Sequence, residues 1–191
     1  MILNSRNNLF TFNFPKAFMP EEIVERYQPY LNRIPGNMIT RPIDFLNYSI
    51  QSVNLPGPSY SAGEQTGKHG RKRLHRDTTP DQELYAKEMT ITFQLLDGYI
   101  NYWMMLDMFK YWYSFPNQPE FEFVKEPYLP VGMNVRILDA EGNVLVTTEL
   151  KRVLYTELGS LEMSFSDNTA DFSTFDATFV YNELETKIEL K

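Results

Sequence analysis

Cysteine is missing altogether from the 191 residues, and histidine occurs only twice. Without a thiol there is no disulfide, no thiolate nucleophile and no zinc–cysteine centre, which fits synthesis inside a cell. Both histidines, His69 and His75, lie in a basic stretch with no carboxylate spaced to pair with them, so neither a metal site nor a catalytic base is indicated. No apolar run approaches the roughly 20 residues of a membrane-spanning helix. The opening MILNSRNNLF has no basic region leading into an apolar one, so a soluble chain without a secretory leader is expected. No GxSxG nucleophile elbow occurs. The glycines at 63, 67 and 70 follow no strand and open no helix, which excludes a phosphate-binding loop. Acidic pairs such as Glu21 with Glu22 and Glu83 with Glu88 read as a helix start and as strand flanks. No enzyme activity and no cofactor are expected. Basic residues are outnumbered, 18 against 25, and the net charge of -7 argues against duplex DNA binding by the surface as a whole.

What the chain does have is 42% hydrophobic and 15% aromatic content, enough to bury a core as one domain over residues 1–191. Residues 9–14 (LFTFNF) set Phe10, Phe12 and Phe14 on one face, the two-residue period of a strand. From Pro20, the run PEEIVERYQPYLNRI puts Glu21 and Glu22 in a first helical turn and Ile23, Tyr27 and either Tyr30 or Leu31 toward one side; this predicts a short helix over about 20–33, limited by Pro29. Residues 44–54 (DFLNYSIQSVN) alternate as a strand and stop hard at Leu55-Pro56-Gly57-Pro58. Residues 59–81 then lose all apolar periodicity and gather Lys68, His69, Arg71, Lys72, Arg73, His75 and Arg76 into a long basic loop, a contact arm, a solvated excursion or a nucleic-acid contact.

Residues 83–96 give the clearest strand, with Met89, Ile91, Phe93 and Leu95 opposite Glu88, Thr90, Thr92 and Gln94. Asp97-Gly98 breaks it, and the run to Tyr113, with Trp103, Met104, Phe109 and Trp112, is apolar nearly all round. A helix packed on two sides has this composition, as core, as a subunit interface or as both. Residues 114–130 hold four prolines and predict a surface linker with an edge strand at 120–124. Two strands, 131–138 and 144–154, flank the turn Asp139-Ala140-Glu141-Gly142-Asn143. The fold class expected is mainly β: an antiparallel barrel or sandwich with a flanking helix at about 98–113, a shorter one at about 20–33, and the basic loop at 59–81.

The closing segment is the most specific. A strand at 150–155 (LKRVLY), a corner at Thr156-Glu157-Leu158-Gly159, a short strand at 160–165 (SLEMSF), a polar turn at Asp167-Asn168-Thr169 and a long strand at 172–181 (FSTFDATFVY) make an antiparallel meander. This meander resembles the end of bacteriophage tail tube proteins, through Leu150, Lys151, Leu158, Gly159, Leu161, Phe165, Asp167, Phe175, Ala177, Phe179 and Tyr181. Leu55-Pro56-Gly57 resembles the family's early strand end, whereas residues 15–41 look like an addition. The family's proline or tryptophan before the corner is absent, with Tyr155 and Thr156 in that region.

The resemblance implies a structural virion protein of the phage tail, made in the host cytoplasm. Its copies would close into rings of six and stack into a hollow tube through which genome DNA passes without specific binding. It implies partners in further copies of itself and in sheath, baseplate hub, tape measure and tail terminator proteins, with no membrane span. Lys68, Arg71, Lys72, Arg73 and Arg76 would make contacts between rings, and Glu88, Thr90, Thr92 and Gln94 would face the lumen. A tube-initiator or terminator of the same fold, or a nucleic-acid-binding β-barrel using the basic loop, are the alternatives. For the last, only Tyr60 lies near the basic run as a stacking residue.

Overall fold

A computed structural model describes residues 9–34, 39, 41–55, 63–66, 73–76, 87–113, 129, 132–161 and 173–189, with backbone alone for 63–66, 73–76 and 97. It is mainly β. One sheet runs in the order β1 (Phe10–Asn13), β6 (Met133–Leu138), β7 (Val144–Lys151), β10 (Glu183–Ile188), and a second in the order β2 (Ile50–Asn54), β5 (Glu88–Gln94), β9 (Thr174–Val180), β8 (Leu154–Leu158). All neighbouring strands are antiparallel. The sheets form a sandwich-like pair, called here the β1 sheet and the β5 sheet, with no closed barrel among the described residues. β3 (Gly63–Thr66) and β4 (Arg73–Arg76) make a separate two-stranded ribbon inside the basic stretch.

Alternation builds the core. Met89, Ile91 and Phe93 of β5 and Phe175, Ala177 and Phe179 of β9 are buried, and register sets Phe93 against Phe175, Ile91 against Ala177 and Met89 against Phe179 on one face. Tyr155 of β8 stacks on Phe179 at 4.8 Å. From the β1 side, Phe14 stacks at 6.1 Å on Phe93 and at 4.4 Å on Phe18, which joins the two sheets. Each such buried aromatic or aliphatic side chain contributes about 1.5–3 kcal/mol.

The turn 139–143 forms as expected. Asp139 Oδ1 accepts from the Glu141 and Asn143 amides, both at 2.8 Å, and Gly142 sits at φ 86°, where only glycine is unstrained. The corner between sheets is displaced from its expected position at Gly159 to Arg152, a left-handed residue at φ 52° between β7 and β8. Gly159 instead continues β8: its amide donates to the Asp176 carbonyl at 2.7 Å, and a Cβ there would lie 3.0 Å from that oxygen. The short strand expected at 160–165 is not in strand conformation at Ser160 and Leu161, and the rest of it, like the edge strand at 120–124, lies outside the described residues. β10, unexpected from the sequence, pairs along β7.

Three helices occur among the described residues: α1 (Glu21–Leu31), α2 (Pro42–Tyr48) and α3 (Ile100–Tyr113). α2 corrects the strand expected from residue 44. Pro42 is preset for a first helical position, Asp44 lies in the first turn, and Pro42, Ile43, Phe45 and Leu46 bury together as a strand's alternating faces would not. The strand starts only at Ile50, after Ser49 donates its hydroxyl to the Leu46 carbonyl at 2.7 Å. α1 runs through Pro29 and buries Ile23 and Leu31. α3 follows β5 through a 3-10 turn, Asp97–Tyr99, and is fixed to the strand end by buried Asn101, whose amide donates to the Gln94 carbonyl at 2.7 Å and accepts from the Leu96 amide at 3.3 Å.

Two substitutions test this packing. Asn101→Leu strands both backbone groups and is expected to cost about 2 kcal/mol. Tyr155→Phe keeps the ring and removes a buried hydroxyl that has no hydrogen-bond partner among the described residues, so urea unfolding is expected to show it unchanged or about 1 kcal/mol more stable.

Candidate functional site: an outward sheet face, two open edges and a helix cleft

The outward face of the β5 sheet is the complement of its buried face. Across it, register lines up Ser52, Thr92 and Asp176 in one row and Asn54, Thr90, Thr178 and Glu157 in the next. Glu88, Glu157 and Asp176 are exposed, and the four strands contain no lysine or arginine. A further row sets half-buried Val180 and Leu154 beside Glu88, so the face is hydroxyl-rich with carboxylates, one apolar pair and no fixed positive charge in its strands.

All four residues expected to point outward do so: Glu88 is exposed, and Thr90, Thr92 and Gln94 are half-buried on the side opposite the core. Asp176, Thr178 and Glu157 belong to the same face and were missed. The first two were legible, because in 174–180 (TFDATFV) they alternate with Phe175, Ala177 and Phe179. Glu157 was not, because a register shift between Tyr155 and Glu157 turns it to this side.

The margins of this sheet are β2 and β8, neither paired on its outer side among the described residues. Neither carries lysine or proline, and β8 has one charge, Glu157. Natural sheets protect exposed edges with such residues. Each margin has a register shift, Ile50 to Ser52 and Tyr155 to Glu157, which adds twist and curvature. The β1 sheet differs: its edge β10 is laced to β7 by Lys151 to Glu185 at 2.7 Å and Lys187 to Glu149 at 3.3 Å. Lys151 holds the Glu185 carboxyl below its usual range, and Glu185 in turn raises the lysine.

The helix residues separate by role. Met104 is fully buried, Trp112 is buried, Phe109 is half-buried edge-on to Tyr155 at 5.1 Å, and Trp103 is 44% exposed. Trp103 lines a cleft of about 570 Å³ between α1 and α3, with Arg26, Tyr27, Tyr30, Ile100 and Asp107. At its floor Asp107 accepts from the Tyr27 hydroxyl at 2.7 Å and pairs with Arg26 at 2.9 Å. Burial, and then the bond to Asp107, push the Tyr27 phenol well above its ordinary range. Of the basic cluster, Arg73 and Arg76 are the first and last residues of β4, opposite Thr66 and Gly63, whereas Lys68, Arg71 and Lys72 lie outside the described residues. Among the described residues no helix is long and apolar enough to cross a membrane.

Among solved structures the chain is similar to part of the PVC sheath-tube complex of an extracellular contractile injection system in the extended state, at 14% identity over 73% of this chain and 81% of that one, TM-score 0.43. It is similar to a chain of the anti-feeding prophage tube terminating cap, at 12% identity over 73% and 80% of the two chains, TM-score 0.42. It is also similar to an Hcp protein, at 10% identity over 94% and 98%, TM-score 0.40. No protein-family model and no curated protein matches the chain.

The raised Tyr27 phenol makes a prediction at alkaline pH. Above the ordinary phenol value of 10.0 the unfolded chain ionises first, so stability present below that pH is lost as pH rises. Tyr27→Phe is expected to flatten the alkaline fall in denaturant midpoint without abolishing it, because burial also raises Tyr113 and Tyr155. An unchanged slope would show that Tyr27 does not contribute.

Proposed function

We propose that the chain is a structural assembly subunit whose copies join through the margins of the β5 sheet into a ring, with the outward face of that sheet lining the pore. The observation that carries this is the combination of two margins without lysine or proline and an even number of alternating strands. In the order β2-β5-β9-β8, the first and last strands of the 4-stranded sheet run in opposite directions. Copies related by rotation about a ring axis keep the same strand directions, so β8 of one meets β2 of the next antiparallel. The ladder then continues around the ring and satisfies the margin N–H and C=O groups.

The pore face supports the same reading. A wall of hydroxyls and carboxylates without basic residues repels a polyanion and gives its phosphates nothing to hold. That suits passage of nucleic acid better than binding of it. With the sequence resemblance, the reading becomes a tube subunit of a phage-tail-like particle, built from residues 1–191 as one domain with 15–41 as an addition. Its rings, of six copies in the family it resembles, stack within a sheath between a baseplate hub and a terminator.

Negative-stain microscopy and sedimentation of the purified chain test it. Hollow tubes are expected. Rings that never stack would make it an initiator or terminator, and monomers that shift DNA in a gel would replace the reading with nucleic-acid binding. Gln51→Lys with Asn54→Lys places charge on exposed positions of margin β2, and is expected to keep the far-UV circular dichroism of the parent while abolishing rings. Normal rings from this variant would remove β2 from the interface.

A further inference from the structure

We infer that the cleft between α1 and α3 binds a neutral saccharide, stacked on Trp103 and Tyr30 and hydrogen-bonded to Asp107. Its volume of about 570 Å³ lies within the range of small-ligand sites, and its lining has their composition, aromatic and apolar walls with a few polar groups at the floor. Trp103 at 44% and Tyr30 at 56% exposure offer large ring faces to solvent, and neither belongs to the core. Such faces carry partial negative charge, which attracts the slightly positive C–H groups of a sugar ring while its hydroxyls stay at the edge. Tyr27 and Tyr30 stand 6.5 Å apart with their planes inclined at 50°. Walls at that angle form no parallel slot for a flat base, whereas a puckered sugar ring turns C–H groups in more than one direction.

The floor selects by charge. Asp107 accepts from the Tyr27 hydroxyl at 2.7 Å and pairs with Arg26 at 2.9 Å, and both contacts fall on Oδ2. That keeps Oδ1 as an acceptor for a ligand hydroxyl, on a carboxylate whose side chain is only 14% exposed. A cationic ligand would meet the Arg26 guanidinium and an anionic one the Asp107 carboxylate, so the class that this pair admits is a neutral, hydroxyl-rich molecule. α1 lies within residues 15–41, which the tail-tube resemblance leaves unaccounted for, so the cleft gives that segment a role of its own. α3 covers the inner face of the β5 sheet, with the Phe109 and Tyr155 rings 5.1 Å apart. The cleft is thus separate from the outward face of that sheet, and the inference does not rest on the ring reading.

Cellohexaose, maltohexaose and chitohexaose are each titrated into the full-length chain, reading the heat of binding and the fluorescence of Trp103, the exposed one of the two tryptophans. Saturable binding of at least one is expected, insensitive to salt because the ligand is uncharged. Tyr30→Ala and Trp103→Ala each remove a ring that the fold leaves exposed, and each is expected to weaken binding roughly tenfold with the far-UV circular dichroism of the parent. Tyr48→Ala removes a ring that is 72% exposed outside the cleft and is expected to change nothing. No binding of any of the three sugars, or equal weakening by Tyr48→Ala, overturns the proposal. Salt-sensitive binding of oligothymidylate in place of the sugars, lost in Tyr30→Ala, would assign the cleft to a nucleic acid instead.

Discussion

A strand at the margin of a sheet directs half of its backbone donors and acceptors at whatever lies beside it, and the structure depends on how those groups are satisfied. The β1 sheet and the β5 sheet treat the problem differently. β10 places Glu183, Glu185 and Lys187 on one face of its strand, and its ion pairs to β7 keep that margin charged and hydrated. Such exposed pairs add little stability, but they make the margin a poor template for another strand. β2 and β8 carry no such charged lacing, and each has a single register shift instead. A single sheet with two such margins is the form expected of a chain that meets itself there.

The two faces of the β5 sheet are as unlike as its margins. Its inner face is covered by Phe14 and Phe18 from the β1 side, and by Tyr102 and Phe109 of α3, which meet Phe175 and Tyr155 edge-on at 5.3 Å and 5.1 Å. Because the large aromatic groups are taken up there, the outer face is mostly polar, with Leu154 and Val180 beside Glu88 as its apolar row. Asn101 makes this possible at the hinge from β5 into α3. By bonding both Gln94 and Leu96, it lets the chain leave the sheet and fold back over the inner face without leaving those backbone groups unsatisfied.

Much of this was legible wherever one periodicity was undisturbed. β5 is written in strict alternation, so its buried and wet faces could be assigned residue by residue, and α3 was recognisable from the break at Asp97-Gly98 followed by apolar residues on all sides. Residues 44–54 misled because PIDFLNY alternates loosely enough to pass for a strand, while a proline at the first helical position and the joint burial of Ile43, Phe45 and Leu46 decided for a helix. The corner at Arg152 was hidden for another reason. A left-handed arginine costs about 1–2 kcal/mol, a strain that surrounding pairing overrides, whereas Gly159 offered the conformation and did not use it. The α1–α3 cleft was invisible, since Asp107 and Arg26 meet only because two helices separated by most of the β5 sheet's first half are packed together.

The margins of the β5 sheet limit how copies of this chain could pair. Were sheet margins the only contact, a ladder of backbone hydrogen bonds could slip by two residues and still present the same faces, because strand pairing repeats with that period. The register shifts in β2 and β8 interrupt the repeat at one place on each margin, which favours a single alignment. Backbone pairing would then supply the adhesion, while the bulges determine which of several near-equivalent pairings is adopted.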